Sequence, residues 1–234
     1  MKAVILAAGR GSRLGQLTES IPKPLLEYHG IPILFRHIDT CIRHSVSEIF
    51  INTHHLSELL IARVEETYAG RIALNFSREE ELLGTAGALN NFRDALGDGD
   101  FAVIYGDNII EYDMTDLHES HRRHEALATI VGHYREDVSM SGVMVFDENG
   151  RLEAFMEKPA PDQVASHIVS AGLYVLGPRS LDYVLPGASD FGADVFPAML
   201  RNEERLFVEV TDKEVTPIDT LSLYESAMRR GAGE

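Results

Sequence analysis

The 234-residue chain has no tryptophan, one cysteine and no apolar stretch of 18 residues. Each absence excludes something. Cys41 alone cannot form an intrachain disulfide, which fits a reducing cytoplasm, and without a patterned histidine partner it reads as a small buried hydrophobe rather than a nucleophile. The missing apolar run excludes a membrane-spanning helix, and an N-terminus that runs straight into a strand argues against a cleaved secretory signal. Basic residues are scarce: 21 Lys and Arg against 37 Asp and Glu give a net charge of −16. A general nucleic-acid surface needs clustered Lys and Arg to displace counterions, so it is excluded too. The expected compartment is the cytoplasm, with neither nucleic acid nor membrane as partner.

What is present begins at residue 2. A strand-like run, Lys2 to Leu6, breaks into Ala7-Ala8-Gly9-Arg10-Gly11-Ser12-Arg13-Leu14, and Ile21-Pro22-Lys23-Pro24-Leu25 follows. Small residues after a strand let the backbone approach an anion, and the N–H groups of the turn point at it. Gly-x-Gly also marks ordinary tight turns. The dinucleotide fingerprint fails, because Leu14 stands where the third glycine belongs, and the Walker ending G-K-[ST] is absent. What remains is a glycine loop containing arginine, with a lysine between two prolines that bias it toward an extended conformation.

Elsewhere, apolar runs alternate with helical periodicity. Strands are expected over 3–6, 48–52, 72–76, 101–105, 128–133, 142–146 and 169–176, and helices over 33–44, 56–68, 87–95 and 114–125. This alternation predicts an α/β fold with a largely parallel sheet covered by helices on both faces. Asp147-Glu148-Asn149-Gly150 lies between two short apolar runs and predicts a hairpin, so the second half is expected to be mixed. One domain over 1–234 is expected, with residues 1–110 and 111–234 as its two halves.

Three further strings could carry chemistry. Gly106-Asp107-Asn108 follows a buried strand, and ligands bind open α/β sheets at that edge, although the same residues make an ordinary turn. Leu83-Gly84-Thr85-Ala86-Gly87-Ala88 would let a flat base approach the backbone, or would start a helix capped by Thr85. Glu157-Lys158-Pro159 is by default a solvated ion pair.

The combination of LAAGRGSRL with PKPLL resembles the signature of the sugar-phosphate nucleotidyltransferases, which join a nucleoside triphosphate to a sugar 1-phosphate and release pyrophosphate. The resemblance implies a Rossmann-like three-layer sandwich with a mostly parallel mixed sheet and a small antiparallel subregion on the substrate side. It implies that Arg13 and Lys23 are catalytic, and that Leu6, Ala8, Gly9, Gly11, Ser12, Gly84, Thr85 and Gly87 bind the nucleotide. Asn108, Gly142, Glu157, Lys158 and Gly172 would bind the sugar phosphate, and Asp107 with Asp219 would hold Mg²⁺. Many relatives carry a tryptophan-containing segment before the second metal aspartate. Here Ile218-Asp219-Thr220 matches a shorter version of that segment, while an ungapped alignment of the longer one puts Pro217 in its place.

LGTAGAL is closest in wording to guanylyltransferases for mannose-type sugars, so GTP is the expected substrate. Cytidylyl, uridylyl or thymidylyl transfer to a sugar or non-sugar phosphate, and a catalytically silent nucleotide-sugar-binding regulatory subunit, are the alternatives. Homo-oligomers occur in the family. His54 and His55 resemble a family segment that floors the active site rather than a zinc pair. Asp190 to Pro197 resembles a family stretch that opens a late helix, where a capping role suffices.

Overall fold

The first strand, Lys2–Leu6, forms where Ala3, Val4 and Ile5 are wholly buried in succession, as a strand covered on both faces requires. The structure is a computed structural model describing residues 1–230. Its chain folds into two compact units. The first comprises Met1–Leu82, Ile104–Glu111 and the described residues from Val215 on; the second comprises Leu83–Val103 and Tyr112–Glu214.

In the first unit Lys2–Leu6 pairs in parallel with Glu48–Thr53, which pairs in parallel with Ala73–Arg78, placing Leu6 opposite Asn52 and Asn52 opposite Ser77. Parallel neighbours need crossovers, and the helices Ile33–Arg43 and Ser57–Tyr68 supply them. The first helix buries Ile33, Leu34, Ile38 and Cys41, and the second buries Leu60, Val64 and Tyr68 at a four-residue interval. Burial pushes the Cys41 thiol up to about 12, so it stays protonated and inert.

The residues after Val215 join this unit through packing and pairing. Ile218 and Ala227 share a buried cluster with Leu14, Leu26 and Ile33, while Val215–Pro217 pairs antiparallel with Asn108–Ile110. The closing helix Leu221–Arg230 is held by Tyr224, whose hydroxyl donates to Glu27 O at 2.8 Å.

In the second unit the strand Ala128–Tyr134 lies between Leu206–Thr211, parallel to it, and Ile168–Leu176, antiparallel. Val169 of the latter faces Val143 in the hairpin Gly142–Phe146 and Leu152–Glu157. The Asp147 carboxylate closes that hairpin by accepting from the N–H groups of Asn149 and Arg151, and Gly150 takes the left-handed conformation at φ 83°. Helix Met114–Arg123 starts at Asp113, whose side chain accepts from Thr115 N at 2.8 Å and Asp116 N at 3.1 Å.

The class is therefore α/β with mixed parallel and antiparallel pairing. Antiparallel pairing extends beyond the hairpin marked in the sequence, because it includes the long strand Ile168–Leu176. Among the elements outside the sequence reading are the strands Asn108–Ile110, Leu206–Thr211 and Val215–Pro217 and the helix Leu221–Arg230. Two expectations are corrected. The helix expected over 87–95 is three short pieces, Gly84–Gly87, Ala88–Phe92 and Arg93–Leu96: Phe92 leaves helical geometry at φ −122°, and Ser189 takes both the Gly87 N–H and the Leu83 carbonyl that would close the first turn. Lys23 is not extended: it opens a tight turn, Lys23–Leu25, closed by Leu25 N to Pro22 O and Leu26 N to Lys23 O. No helix among the described residues is long and apolar enough to cross a membrane.

His37, on the first helix, sets an acid limit on stability. Burial holds its ring down to about 4, against an opposing backbone hydrogen bond at Asn108 and the Asp107 charge, with Arg36 lowering it further. The unfolded chain takes up a proton near 6.5 that the folded ring refuses until about 4. Stability therefore falls as pH drops through that window, by ~3 kcal/mol at ~1.4 kcal/mol per unit, and is unaffected above it. His121, also held to about 4 by burial against the Asp100 charge, contributes a parallel slope. Urea unfolding from pH 7 to pH 4 is expected to show a shallower loss for His37→Leu than for the unmodified protein; identical slopes would refute the assignment.

Candidate functional site

The first unit gathers four charged side chains from three distant segments. Lys23 Nζ lies 2.6 Å from Asp107 Oδ2 and 3.0 Å from Asp219 Oδ1. Arg13 reaches the same Asp219 oxygen at 3.3 Å. The lysine side chain is 6% exposed, whereas the aspartates are 31% and 36% exposed and Arg13 58%. Two part-exposed carboxylates thus share one buried ammonium.

Each member is placed by backbone. Asp107 follows Gly106, whose N–H donates to Leu6 O at 2.9 Å, so the turn is fixed to the end of the first strand. Asp219 follows the wholly buried Ile218, whose N–H donates to Asp107 O at 3.0 Å. Pro217 instead faces Asn108 across the short strand pair, leaving Asp219 as the aspartate that meets Lys23. Burial alone would lower the Lys23 pKa, but the charges of Asp107 and Asp219 and their hydrogen bonds outweigh it and hold the ammonium above its ordinary range. The Arg13 pair is exposed and contributes orientation more than stability.

The glycine loop is wired at both ends. Ala7 N donates to Asn52 Oδ1 at 2.8 Å, and Arg10 Nε approaches His54 Nε2 at 3.1 Å. Leu6, Ala8, Gly9, Gly11 and Ser12 lie along this loop, with Gly11 left-handed at φ 66° just before the turn Ser12–Thr18. His54 and His55 serve as hydrogen-bonding struts: His54 Nδ1 pairs with Glu79 O at 2.9 Å and His55 Nε2 with Thr18 O at 2.8 Å.

The second unit holds the remaining candidates. Gly84, at φ 74°, lies so close to Ser189 that a Cβ would come within 2.5 Å of its carbonyl oxygen, and only glycine fits. Thr85 does not cap its helix. Its N–H and hydroxyl both donate to Asp190 Oδ1, at 3.0 and 2.9 Å, and its oxygen accepts from Phe191 N. Asp190 accordingly does not cap the later helix either, because its carboxylate is committed to Thr85. Gly87 adjoins the same segment through Ser189 O.

Gly142 sits opposite Glu157 in the hairpin register. Gly192 comes closer: a Cβ there would stand 2.4 Å from Glu157 Oε2. Lys158 Nζ lies 3.5 Å from Glu157 Oε1, and its backbone is left-handed at φ 49° with its N–H on Ser141 O. Beneath this pair Phe155, Tyr174, Phe191 and Phe196 form an aromatic cluster with centroids 5.1 to 5.5 Å apart. Gly172, at φ 71°, gives its N–H to Ser170 Oγ, which also pairs with Tyr174 OH at 3.0 Å.

Residues absent from the sequence reading are Asn52, Glu79 and Gly192, together with the role of Asp190 as partner to Thr85. The string Asp190-Phe191-Gly192 drew notice only as a helix opening; its pairing with a loop 105 residues away has no local signature.

A family model described as Nucleotidyl transferase matches residues 2–215. The UTP–glucose-1-phosphate uridylyltransferase of Synechocystis sp. is 31% identical over 98% of this chain and 63% of its own length. A mannose-1-phosphate guanyltransferase of Schizosaccharomyces pombe is 35% identical over 87% of this chain and 57% of its own. The chain thus spans about 60% of the length of these relatives. Among solved structures, HddC from Yersinia pseudotuberculosis, complexed with GMP-PN, superposes with TM-score 0.80 at 25% identity, covering 98% of this chain and 99% of that one. A structure described as a glucose-1-phosphate thymidylyltransferase of Bacillus anthracis, in complex with a sucrose, gives TM-score 0.88 at 21% identity over 100% of this chain and 96% of that one, a likeness of fold. That fold is of the Rossmann-like α/β type. The chain belongs to the nucleotidyl transferase family.

Proposed function

We propose that the chain transfers a nucleotidyl group from GTP to a sugar 1-phosphate of the mannose type, giving a nucleoside diphosphate sugar and pyrophosphate. The observation that carries this reading is Lys23 bound to both Asp107 and Asp219 beside a glycine loop that bears Arg13. The wording of LGTAGAL and the guanyltransferase among the relatives support guanine.

In the reaction, an oxygen of the sugar phosphate bonds to the α-phosphorus of the triphosphate as the bond to the β-phosphate oxygen breaks, and pyrophosphate leaves. The attacking oxygen is already anionic, so no strong base is needed. The obstacle is the approach of two anions, and catalysis consists of positioning and charge neutralisation. Arg13 stabilises the charge on the α-phosphate and the departing pyrophosphate, with amides of the loop from Leu6 to Ser12 as further donors. Lys23 and Lys158 neutralise the two phosphate groups, Glu157 accepts from sugar hydroxyls, and the main chain at Gly142, Gly172 and Asn108 lines the sugar. Gly84, Thr85 and Gly87 bring backbone against base and ribose.

Asp107 and Asp219 fit a magnesium ion. Their oxygens converge on one cation in the form of Lys23 Nζ, and Mg²⁺ takes one or two carboxylates together with substrate phosphates. Bound there, it would supply charge neutralisation across the triphosphate.

A panel of triphosphates against several sugar 1-phosphates, read by pyrophosphate release, tests the reading. Arg13→Ala and Asp107→Asn are each expected to lower kcat/KM by about 10²–10³ with the circular dichroism spectrum retained; full activity in either would sink the assignment. Gly192→Ala displaces the Glu157 carboxylate, so the KM for sugar phosphate should rise about tenfold or more while that for GTP holds. A parallel rise in both would place Glu157 elsewhere.

Lys23→Met leaves two carboxylates facing each other, and its melting temperature at pH 8 should fall and then recover when magnesium is added. The raised pKa of Lys23 makes its stabilisation complete below its ordinary 10.5 and lost as pH climbs beyond the elevated value, so the gap between variant and parent should close in strong alkali. A gap independent of both magnesium and alkali would remove the ion cluster from the account.

A further inference from the structure

The loop from Leu83 to Ala88 is built of residues that hold themselves in place poorly. Gly84 and Gly87 have no side chain to pack, and Gly84 is left-handed at φ 74°. The helix Gly84–Gly87 is a single turn, too short to be stable on its own hydrogen bonds. Its conformation has to be imposed from outside.

The segment from Leu185 to Phe191 imposes it. Leu185 O accepts from Asn90 Nδ2 at 2.8 Å, Ser189 N donates to Leu83 O at 2.9 Å, and Ser189 O accepts from Ala86 N and Gly87 N at 2.8 and 3.0 Å. These bonds use the main chain of the segment. Asp190 contributes a side chain: its Oδ1 takes both the N–H of Thr85, at 3.0 Å, and the hydroxyl, at 2.9 Å. Thr85 Oγ1 in turn accepts from Phe191 N at 3.0 Å, and the Phe191 ring is wholly buried against Tyr174 and Phe196.

A hydroxyl has one proton to give. Thr85 gives it to Asp190, so the loop presents main chain rather than this hydroxyl to a nucleotide. Recognition of that kind tolerates little displacement, since a shift of about 1 Å can cost about 10²-fold. The backbone of Asp190 is held independently of its carboxylate: its N–H donates to Asp194 Oδ2 at 2.8 Å, and its carbonyl accepts from Asp194 N and Val195 N. Two residues on, Gly192 abuts Glu157. The side chain at 190 thus bears on the loop, and the backbone at 192 on the Glu157 carboxylate.

We propose that Asp190 is a positioning residue for the nucleotide, holding Thr85 and with it the main chain of Gly84 to Gly87 in the receiving conformation, without acting on the sugar phosphate. This rests on the nucleotidyl-transfer reading and adds to it a residue that acts through Thr85.

The test assays Asp190→Ala, Asp190→Asn and Thr85→Val by pyrophosphate release from GTP and mannose 1-phosphate, and by calorimetric binding of GDP and UDP. In Asp190→Ala the KM for GTP should rise about tenfold or more, with kcat within about threefold of the parent and the KM for mannose 1-phosphate held. That split is the reverse of the one expected for Gly192→Ala, and a general loosening of the fold would move both constants together. Asp190→Asn keeps the accepting oxygen and should return the KM for GTP to within about threefold of the parent. Thr85→Val should shift it as Asp190→Ala does, and the double variant should lose less than the product of the two, because both break the same contact.

An unchanged KM for GTP in a folded Asp190→Ala, an equal rise in both constants, or no rescue by Asp190→Asn overturns the proposal. Should Asp190→Ala not fold, Thr85→Ser against Thr85→Val decides: the serine variant keeps the hydroxyl and should bind GDP like the parent, and equal losses in the two would overturn the assignment. Absence of turnover with every triphosphate would refute the transferase reading. The affinity of Asp190→Ala for GDP and UDP would then decide the role of Asp190, and failure of the unmodified protein to bind either would refute it.

Discussion

One ammonium between two carboxylates organises the first unit. Lys23 is separated from Asp107 by 84 residues and from Asp219 by 196, so this contact ties an N-terminal turn, the end of a central strand and the segment before the last helix to a single point. Without the ammonium the two carboxylates would repel each other, at a cost to stability, since both approach the same point. The apolar packing of Ile218 against Leu14 and Ile33 brings the segments together, and the lysine makes the meeting tolerable. That point concentrates negative charge around one positive charge.

The second unit solves a different problem, that of close approach. Its candidate residues lie where backbone meets backbone or a carboxylate meets a glycine. Gly84 adjoins the Ser189 carbonyl, and Gly192 adjoins Glu157. The aromatic cluster of Phe155, Tyr174, Phe191 and Phe196 supports that surface with rigid side chains, so the carboxylate of Glu157 rests on a floor that cannot readily shift.

The sequence made the alternating elements and the glycine loop legible because both are local: a buried parallel strand is an unbroken apolar run, and a hairpin turn is two or three residues of particular backbone freedom. Asp107 was legible for the same reason, as it sits directly after such a run. Asp219 was legible only through a resemblance in an altered frame, and the hydrogen bond from Ile218 N to Asp107 O that positions it has no local trace. The breakup of the 87–95 helix and the engagement of Thr85 by Asp190 were hidden because a distant carbonyl and carboxylate outcompeted local propensity. Glu79 stood in a run of three glutamates, Glu79-Glu80-Glu81, that reads as solvated surface; only burial separates the first from its neighbours.

The first unit is discontinuous in the chain, with most of the second unit inserted between Glu111 and Val215. During synthesis at roughly 5–20 residues per second, Lys23 and Asp219 emerge from the ribosome some 10–40 s apart, given their separation of 196 residues. Once Asp107 has emerged, 84 residues after Lys23, that pair is available but Ile218 is not, and the apolar faces of Leu14 and Ile33 lack their cover. The nascent chain therefore carries an open hydrophobic patch while the inserted unit is being made. Docking of the segment around Ile218 is thus the step at which chaperone protection and aggregation compete.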